Sequence, residues 1–120
     1  MMILVVDDDA EQRQLRMMLL TRNGFDAIEA GDKQSAALIA RARHPAAAIV
    51  DLKLPRVADG LELIRELKSF DSNMRLIVLT GMLREKVNSL PGTNLIDELL
   101  TKPTSTTKLI RILRSFEAGG

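Results

Sequence analysis

Five short, largely apolar runs, each closed by a polar residue or glycine and each followed by helical periodicity, set what this chain can fold into. Residues 3–6 stop at Asp7-Asp8-Asp9, and residues 25–30 stop at Gly31. Residues 47–50 stop at Asp51, 74–79 at Thr80-Gly81, and 95–100 run into Thr101-Lys102-Pro103. The near-continuous runs belong to strands covered on both faces, while residues 25–30 alternate weakly and read as a further strand. Asp97 and Glu98 place the last run at a sheet edge, where charge is tolerated.

The intervening stretches read as helices. From about Ala10, Leu15, Met18 and Leu19 recur at spacings of three and four, while Glu11, Arg13, Gln14 and Arg16 lie elsewhere. Asn23-Gly24 ends this helix. Asp32 is placed to cap a helix that runs to about Arg43 and packs through Ala36, Ala37, Ile39 and Ala40, before His44-Pro45 breaks it. After Asp51, a loop through Pro55 leads to a turn at Asp59-Gly60, then to a helix bearing Leu61, Leu63, Ile64 and Leu67. Residues 82–90 carry a weak helical pattern, cut by Pro91-Gly92. Ser105 or Thr106 caps a last helix with Leu109, Ile110, Ile112, Leu113 and Phe116, and residues 117–120 read as a loose tail. The expected organisation is one domain over residues 1–117 with a short tail at 118–120.

Strands alternating with helices make an α/β fold: a doubly wound, five-stranded parallel sheet with five helices on its two faces. All strand C-termini then share one edge, beyond which such sheets place their ligands. Asp7, Asp8, Asp51, Thr80 and Lys102 are thereby brought from distant parts of the sequence to one rim.

Composition narrows the chemistry. The chain has 120 residues, 46% hydrophobic, with three Phe and no Trp or Tyr, so the core is aliphatic. The net charge of +1 gives no nucleic-acid or membrane footprint. Absence of cysteine excludes disulfides, thiolate catalysis and Cys-ligated zinc. No apolar run approaches a membrane span, and the opening run is too short for a signal peptide, so a soluble, cytoplasmic protein is expected.

Three carboxylates in one crevice repel; a pair about 4 Å apart costs about 4 kcal/mol at an effective dielectric near 20. A hard divalent cation removes that cost, and Mg²⁺ suits a few carboxylates with water and phosphoryl oxygens. The Lys102 ammonium adds a positive charge, and the Thr80 hydroxyl can hydrogen-bond a phosphoryl oxygen. Asp51 then has the surroundings of a carboxylate nucleophile. Singly, each residue has a plainer role: Asp7-Asp8-Asp9 as a helix start, Asp51 as a turn cap, Thr80-Gly81 as a strand-ending turn, Lys102 as a surface lysine. Their joint placement at the strand ends favours the chemical reading.

These segments resemble the receiver domain of two-component response regulators, over essentially the whole chain. Ile3 through Asp9 is similar to the family's first strand and acidic pair, Ile49 through Pro55 to its phosphoacceptor segment, and Asp59-Gly60 to the turn that follows. Val78-Leu79-Thr80-Gly81 resembles the switch-threonine strand, and Thr101-Lys102-Pro103 the active-site lysine before a cis proline. The resemblance implies a flavodoxin-like sheet of order 2-1-3-4-5. It also implies Mg²⁺ held directly by Asp8 and Asp51, by Asp7 through water, and by the backbone carbonyl of Lys53. It implies a phosphoryl group delivered to Asp51 by a histidine kinase or phosphotransfer protein. The chain would then catalyse only its own phosphorylation and dephosphorylation, and act on a downstream protein or output domain without binding nucleic acid or membrane directly.

Departures from the pattern are specific. The loop from Pro55 to Gly60 is one residue longer than the commonest form, Leu99 stands where a switch aromatic is expected, and Thr104 follows Lys102-Pro103 where Phe is common. Signalling is therefore expected to rely on ordering of residues 82–93. Lys53 and Met82, each two positions past a site residue, are expected to flank Asp51 and tune acyl-phosphate lifetime. Two rival readings remain: a receiver-like interaction module that is never phosphorylated, and a small Mg²⁺-dependent phosphatase with an aspartyl nucleophile. Lys53 stands where a haloacid-dehalogenase-type hydrolase has its second Asp, which weighs against the phosphatase.

Overall fold

The structure, a computed structural model, describes residues 1–119. Each apolar run becomes a strand: β1 (Met2–Val6), β2 (Asp26–Ala30), β3 (Ala47–Asp51), β4 (Arg75–Thr80) and β5 (Glu98–Thr101). Between and after them lie α1 (Ala10–Arg22), α2 (Lys33–Arg43), α3 (Val57–Phe70), α4 (Arg84–Asn88) and α5 (Thr106–Ala118), with a 3-10 turn at Thr93–Leu95. The strands are all parallel in the order β2-β1-β3-β4-β5, the doubly wound flavodoxin-like arrangement. β5 lies at an edge, with its one charged residue, Glu98, exposed.

Register aligns the strand ends. Val6 pairs with Val50, Asp51 with Leu79, and Thr80 with Thr101, so the residues closing β1, β3, β4 and β5 emerge at one level. The central strands are the most apolar because both faces are covered. On one face Leu4, Val6, Ala48, Val50, Leu76 and Val78 meet Ala36 and Ala40 of α2, Leu63, Ile64 and Leu67 of α3, and Val87 of α4. On the other, Ile3, Val5, Ile49, Ile77 and Leu79 meet Leu20 of α1 and Leu109 and Leu113 of α5. Each large aliphatic side chain so buried contributes about 1.5–3 kcal/mol. Phe25 is buried in the second of these clusters, and Phe25, Phe70 and Phe116 each lie against a guanidinium, of Arg114, Arg41 and Arg75 respectively.

Side-chain caps fix where helices start. Asp9 accepts from Glu11 and Gln12 N–H, Asp32 from Ser35 N–H, and Ser105, rather than Thr106, from Lys108 N–H. His44 is exposed and closes α2 with a left-handed φ of 47°.

Five local expectations need correction. Asp59-Gly60 forms no turn before α3; both lie within its first turns. A Cβ on Gly60 would meet the Leu52 carbonyl oxygen at 1.9 Å, so this glycine exists for the close approach of α3 to the chain leaving β3. β5 starts at Glu98, not at residue 95, because the Asp97 carboxylate instead accepts the Leu76 N–H at 2.7 Å and pairs with Lys68 at 3.0 Å. Leu15 and Met18 do not form the packing stripe of α1; they are 48% and 42% exposed, while Leu20 is buried. α4 spans only Arg84–Asn88 of the expected 82–90. Glu117 and Ala118 continue α5 rather than forming a loose tail, and Gly120 lies outside the described residues.

Candidate functional site

Apolar strands bury polar residues only where they end. Among the described residues just three polar or charged side chains are buried, Asp7, Asp51 and Thr80, and all three line one cavity of about 760 Å³ at the C-terminal edge of the sheet. Asp8, Asp9, Gln12, Lys53, Pro55, Val57, Gly81, Met82 and Lys102 complete its wall. The topology thus brings together the expected strand-end residues, with Lys53 and Met82 beside them.

Asp51 closes β3 and is 8% exposed. Lys102, following β5, reaches it with an Nζ–Oδ2 distance of 3.3 Å. Burial pushes the Asp51 carboxyl above its ordinary pKa; Lys102 opposes that shift and the Asp7 charge adds to it. Thr80 closes β4, and its Oγ1 accepts the Met82 N–H at 3.0 Å, so its own hydroxyl proton is free for another acceptor.

The acidic cluster has a definite charge balance. Asp7, Asp8 and Asp51 each offer a carboxylate oxygen, and these oxygens lie within 4.8 Å of one another. Such an all-oxygen donor set, with no imidazole or thiolate in the cavity, fits a hard divalent cation. Asp7 pairs with Arg16 and Asp51 with Lys102, while Asp8 is exposed and has no ion pair among the described residues. Asp9, the fourth acid of the wall, caps α1 through its side chain while its N–H donates to Asp7 Oδ1 at 2.9 Å. The plain role of helix cap is thus Asp9's alone.

Two site residues escaped sequence reasoning. Arg13 Nη1 donates to the Asp7 carbonyl at 2.8 Å, and Arg16 Nη1 to Asp7 Oδ2 at 3.1 Å. The apolar periodicity of α1 places both off its packing stripe and assigns them no role. The available signal was their i, i+3 spacing one to two turns after the acidic strand end, which puts them on one helix face over it.

Comparison with known proteins supplies independent findings. A family model described as the response regulator receiver domain matches residues 3–114. The response regulator MprA of Mycolicibacterium vanbaalenii is 33% identical over 115 residues, covering 94% of this chain and 48% of its own length. A probable transcriptional regulator, ycf27, of Porphyridium aerugineum is 33% identical over 114 residues, covering 94% of this chain and 46% of its own. The chain therefore spans about half the length of the curated relatives it matches. A response regulator receiver domain protein from Clostridium thermocellum has a similar solved structure, with a TM-score of 0.86 at 26% identity over 98% of this chain and 95% of that one. The response regulator protein TrrA of Thermotoga maritima, solved in complex with Mg²⁺ and BeF, gives a TM-score of 0.85 at 23% identity, covering 96% of this chain and 97% of that one. That second likeness is one of fold.

Proposed function

The chain belongs to the response regulator receiver family, and from that premise we propose that Asp51 is its phosphoacceptor in a two-component phosphorelay, loaded by a histidine kinase or phosphotransfer protein. The observation that carries this reading is the pairing of a buried strand-end carboxylate with Lys102 at 3.3 Å, in the cavity that also holds Thr80 and two further acids. An Asp51 oxygen attacks phosphorus as the P–N bond of the donor phosphohistidine breaks. The bonding pair leaves on the imidazole nitrogen, which takes up a proton from solvent. Lys102 favours the ionised nucleophile beforehand and moves its charge to a phosphoryl oxygen afterward. The free Thr80 proton is donated to another phosphoryl oxygen. In hydrolysis, water attacks phosphorus, the P–O bond to Asp51 breaks, and inorganic phosphate leaves with the carboxylate restored. The chain thus turns over only its own acyl phosphate.

Asp8 and Asp51 would hold Mg²⁺ directly, Asp7 through water, and the Lys53 backbone carbonyl would complete the protein's share; the ion would supply charge neutralisation for the phosphoryl oxygens. Lys53 and Met82 wall the cavity and control access of water to the acyl phosphate. The exposed Leu15 and Met18 on α1, next to cavity residue Gln12, offer a donor protein an apolar foothold. Output passes to a downstream protein or output domain, in keeping with a cytoplasmic protein.

Acetyl phosphate or carbamoyl phosphate with Mg²⁺ tests the reading. Intact mass is expected to rise by one phosphoryl group, and the gain to vanish in Asp51→Asn. No gain in the wild-type chain overturns the reading in favour of a passive interaction module. Rapid turnover of unrelated phosphate esters overturns it in favour of a phosphatase.

A further inference from the structure

The acceptor chemistry makes no use of Arg16, yet its side chain is only 12% exposed and pairs with a carboxylate that is fully buried. Both oxygens of that carboxylate are occupied from within the protein: Asp7 Oδ1 takes the Asp9 N–H at 2.9 Å, and Oδ2 takes Arg16 Nη1 at 3.1 Å. Arg13 fixes the same residue from behind by donating to its carbonyl at 2.8 Å, while its Nε donates to Glu29 Oε1 at 2.8 Å. Asp7 is therefore held in one orientation, with a donor from the protein on each carboxylate oxygen.

We propose that Arg16 is a resident counter-cation of the acidic trio, a positioning residue that holds Asp7 back from direct metal ligation and lowers the affinity of the unphosphorylated site for divalent cations. The inference rests on the phosphoacceptor reading only in taking the trio as the metal site. Its basis is charge. Three carboxylates face Lys102 and Arg16, which leaves one net negative charge; without Arg16 there are two. A guanidinium stays protonated at any working pH, so the offset is permanent. A phosphoryl group on Asp51 returns negative charge to the cavity and makes the loaded site the better metal binder. Linkage then requires the metal to favour the phosphorylated form by the same factor.

A purely structural ion pair and a counter-cation predict opposite outcomes when the charge is removed. The experiment is a calorimetric Mg²⁺ titration of the unphosphorylated wild-type chain, Arg16→Gln and Arg16→Lys. Gln keeps an N–H donor for Asp7 without charge, whereas Lys keeps the charge without the planar fork. Arg16→Gln is expected to bind Mg²⁺ roughly three- to tenfold more tightly, the size of removing a unit charge ~8 Å from a divalent ion in a well-solvated cleft. Arg16→Lys is expected to stay within about twofold of wild type, on the same charge argument. Unchanged or weaker binding by folded Arg16→Gln overturns the proposal, as does an Arg16→Lys that binds as tightly as Arg16→Gln. Should Arg16→Gln not fold, carboxyl carbon shifts of the wild-type chain during the same titration decide the matter. Asp8 and Asp51 are expected to move more than Asp7, and equal movement overturns the proposal. Binding by none of the proteins overturns the metal site itself and this inference with it. Acetyl phosphate labelling of the same samples separates the two readings: tighter Mg²⁺ binding in Arg16→Gln with no phosphoryl gain in the wild type sinks the acceptor role and leaves that of Arg16 standing.

Discussion

The β1–β3 rim reaches the cavity through Asp7 and Asp51, and the α4–β5 side through the flanking residues Met82 and Lys102, but the two are held in place very differently. At the rim, residues 3–6 and 47–50 are fully buried, Asp7 is gripped at both carboxylate oxygens and its carbonyl, and α3 lies directly on the Leu52 backbone. On the other side, α4 is five residues long, starts without a side-chain cap and buries only Val87, while Leu83 is 64% exposed. A phosphoacceptor needs its nucleophile and cation ligands fixed to a fraction of an ångström. A signalling surface needs a second arrangement within reach, and such segments come from the less stable parts of a fold. The difference between the two sides divides chemistry from output.

The severest way to break the rim is Gly60→Ala. The added methyl has no room at 1.9 Å from the Leu52 oxygen, and its obstacle is backbone rather than a flexible side chain. Either α3 lifts or the segment from Asp51 to Lys53 shifts. We expect a loss of about 3 kcal/mol, at the upper end for overpacking, measured by urea unfolding. Phosphorylation by acetyl phosphate is expected to slow as well, because the acceptor loop moves. A variant with unchanged stability would mean that the rim is softer than its contacts indicate.

That contact also marks where sequence reading reached its limit. The strands and their ends were legible because a strand buried on both faces must be apolar throughout and can turn polar only on leaving the sheet. Asp51, Thr80 and Lys102 could therefore be placed without knowing any contact. Gly60 was read as a turn residue because its real reason, the Leu52 carbonyl above it, is a tertiary one. Arg16 stands outside the apolar periodicity because the face of α1 that turns inward is partly polar, since what it covers is Asp7. Leu15 and Met18 were misplaced by the same rotation of the helix. Asp97 looked like an edge-strand charge, whereas it is the acceptor that ties the start of β4 to Lys68.

A smaller effect, of opposite sign, is expected at Asp51 itself. Burial, with Asp7 adding to it, raises the Asp51 pKa in the folded chain above the unfolded value near 3.8. The folded state then binds this proton more tightly than the unfolded state. Its contribution to stability is fully present below the unfolded pKa and is lost as pH rises through the folded one. Asp51→Asn keeps the group neutral at every pH. Near pH 7 the variant is expected to be more stable than the wild type even though Lys102 loses its partner, and the gap should close as pH falls toward the unfolded pKa. Thermal unfolding from pH 7 down to acid measures this. A variant less stable than wild type at pH 7 would show that the Lys102 pair outweighs the burial of the charge.

The smallest effect on global stability, and the one that most sharpens the contrast, is expected on the α4 side. Leu99 is buried among Val87 and its neighbours, and it has no polar atom with which to reach Thr80. The side-chain link between α4 and β5 is instead Arg84, whose Nη2 donates to the Leu99 carbonyl at 2.8 Å. One charge-assisted hydrogen bond to a carbonyl, part-buried, contributes about 1 kcal/mol. Arg84→Ala is therefore expected to raise amide exchange across residues 82–93 by about fivefold and leave β1 and β3 amides untouched, since their opening does not pass through α4. The same segment in the wild-type chain should gain protection when beryllofluoride and Mg²⁺ occupy the cavity, because Thr80 and Met82, joined by the 3.0 Å hydrogen bond, carry a change at the acceptor into the start of α4. Protection that is equal with and without the phosphoryl mimic would place the output elsewhere. The short α4 would then be a local economy of packing rather than a switch.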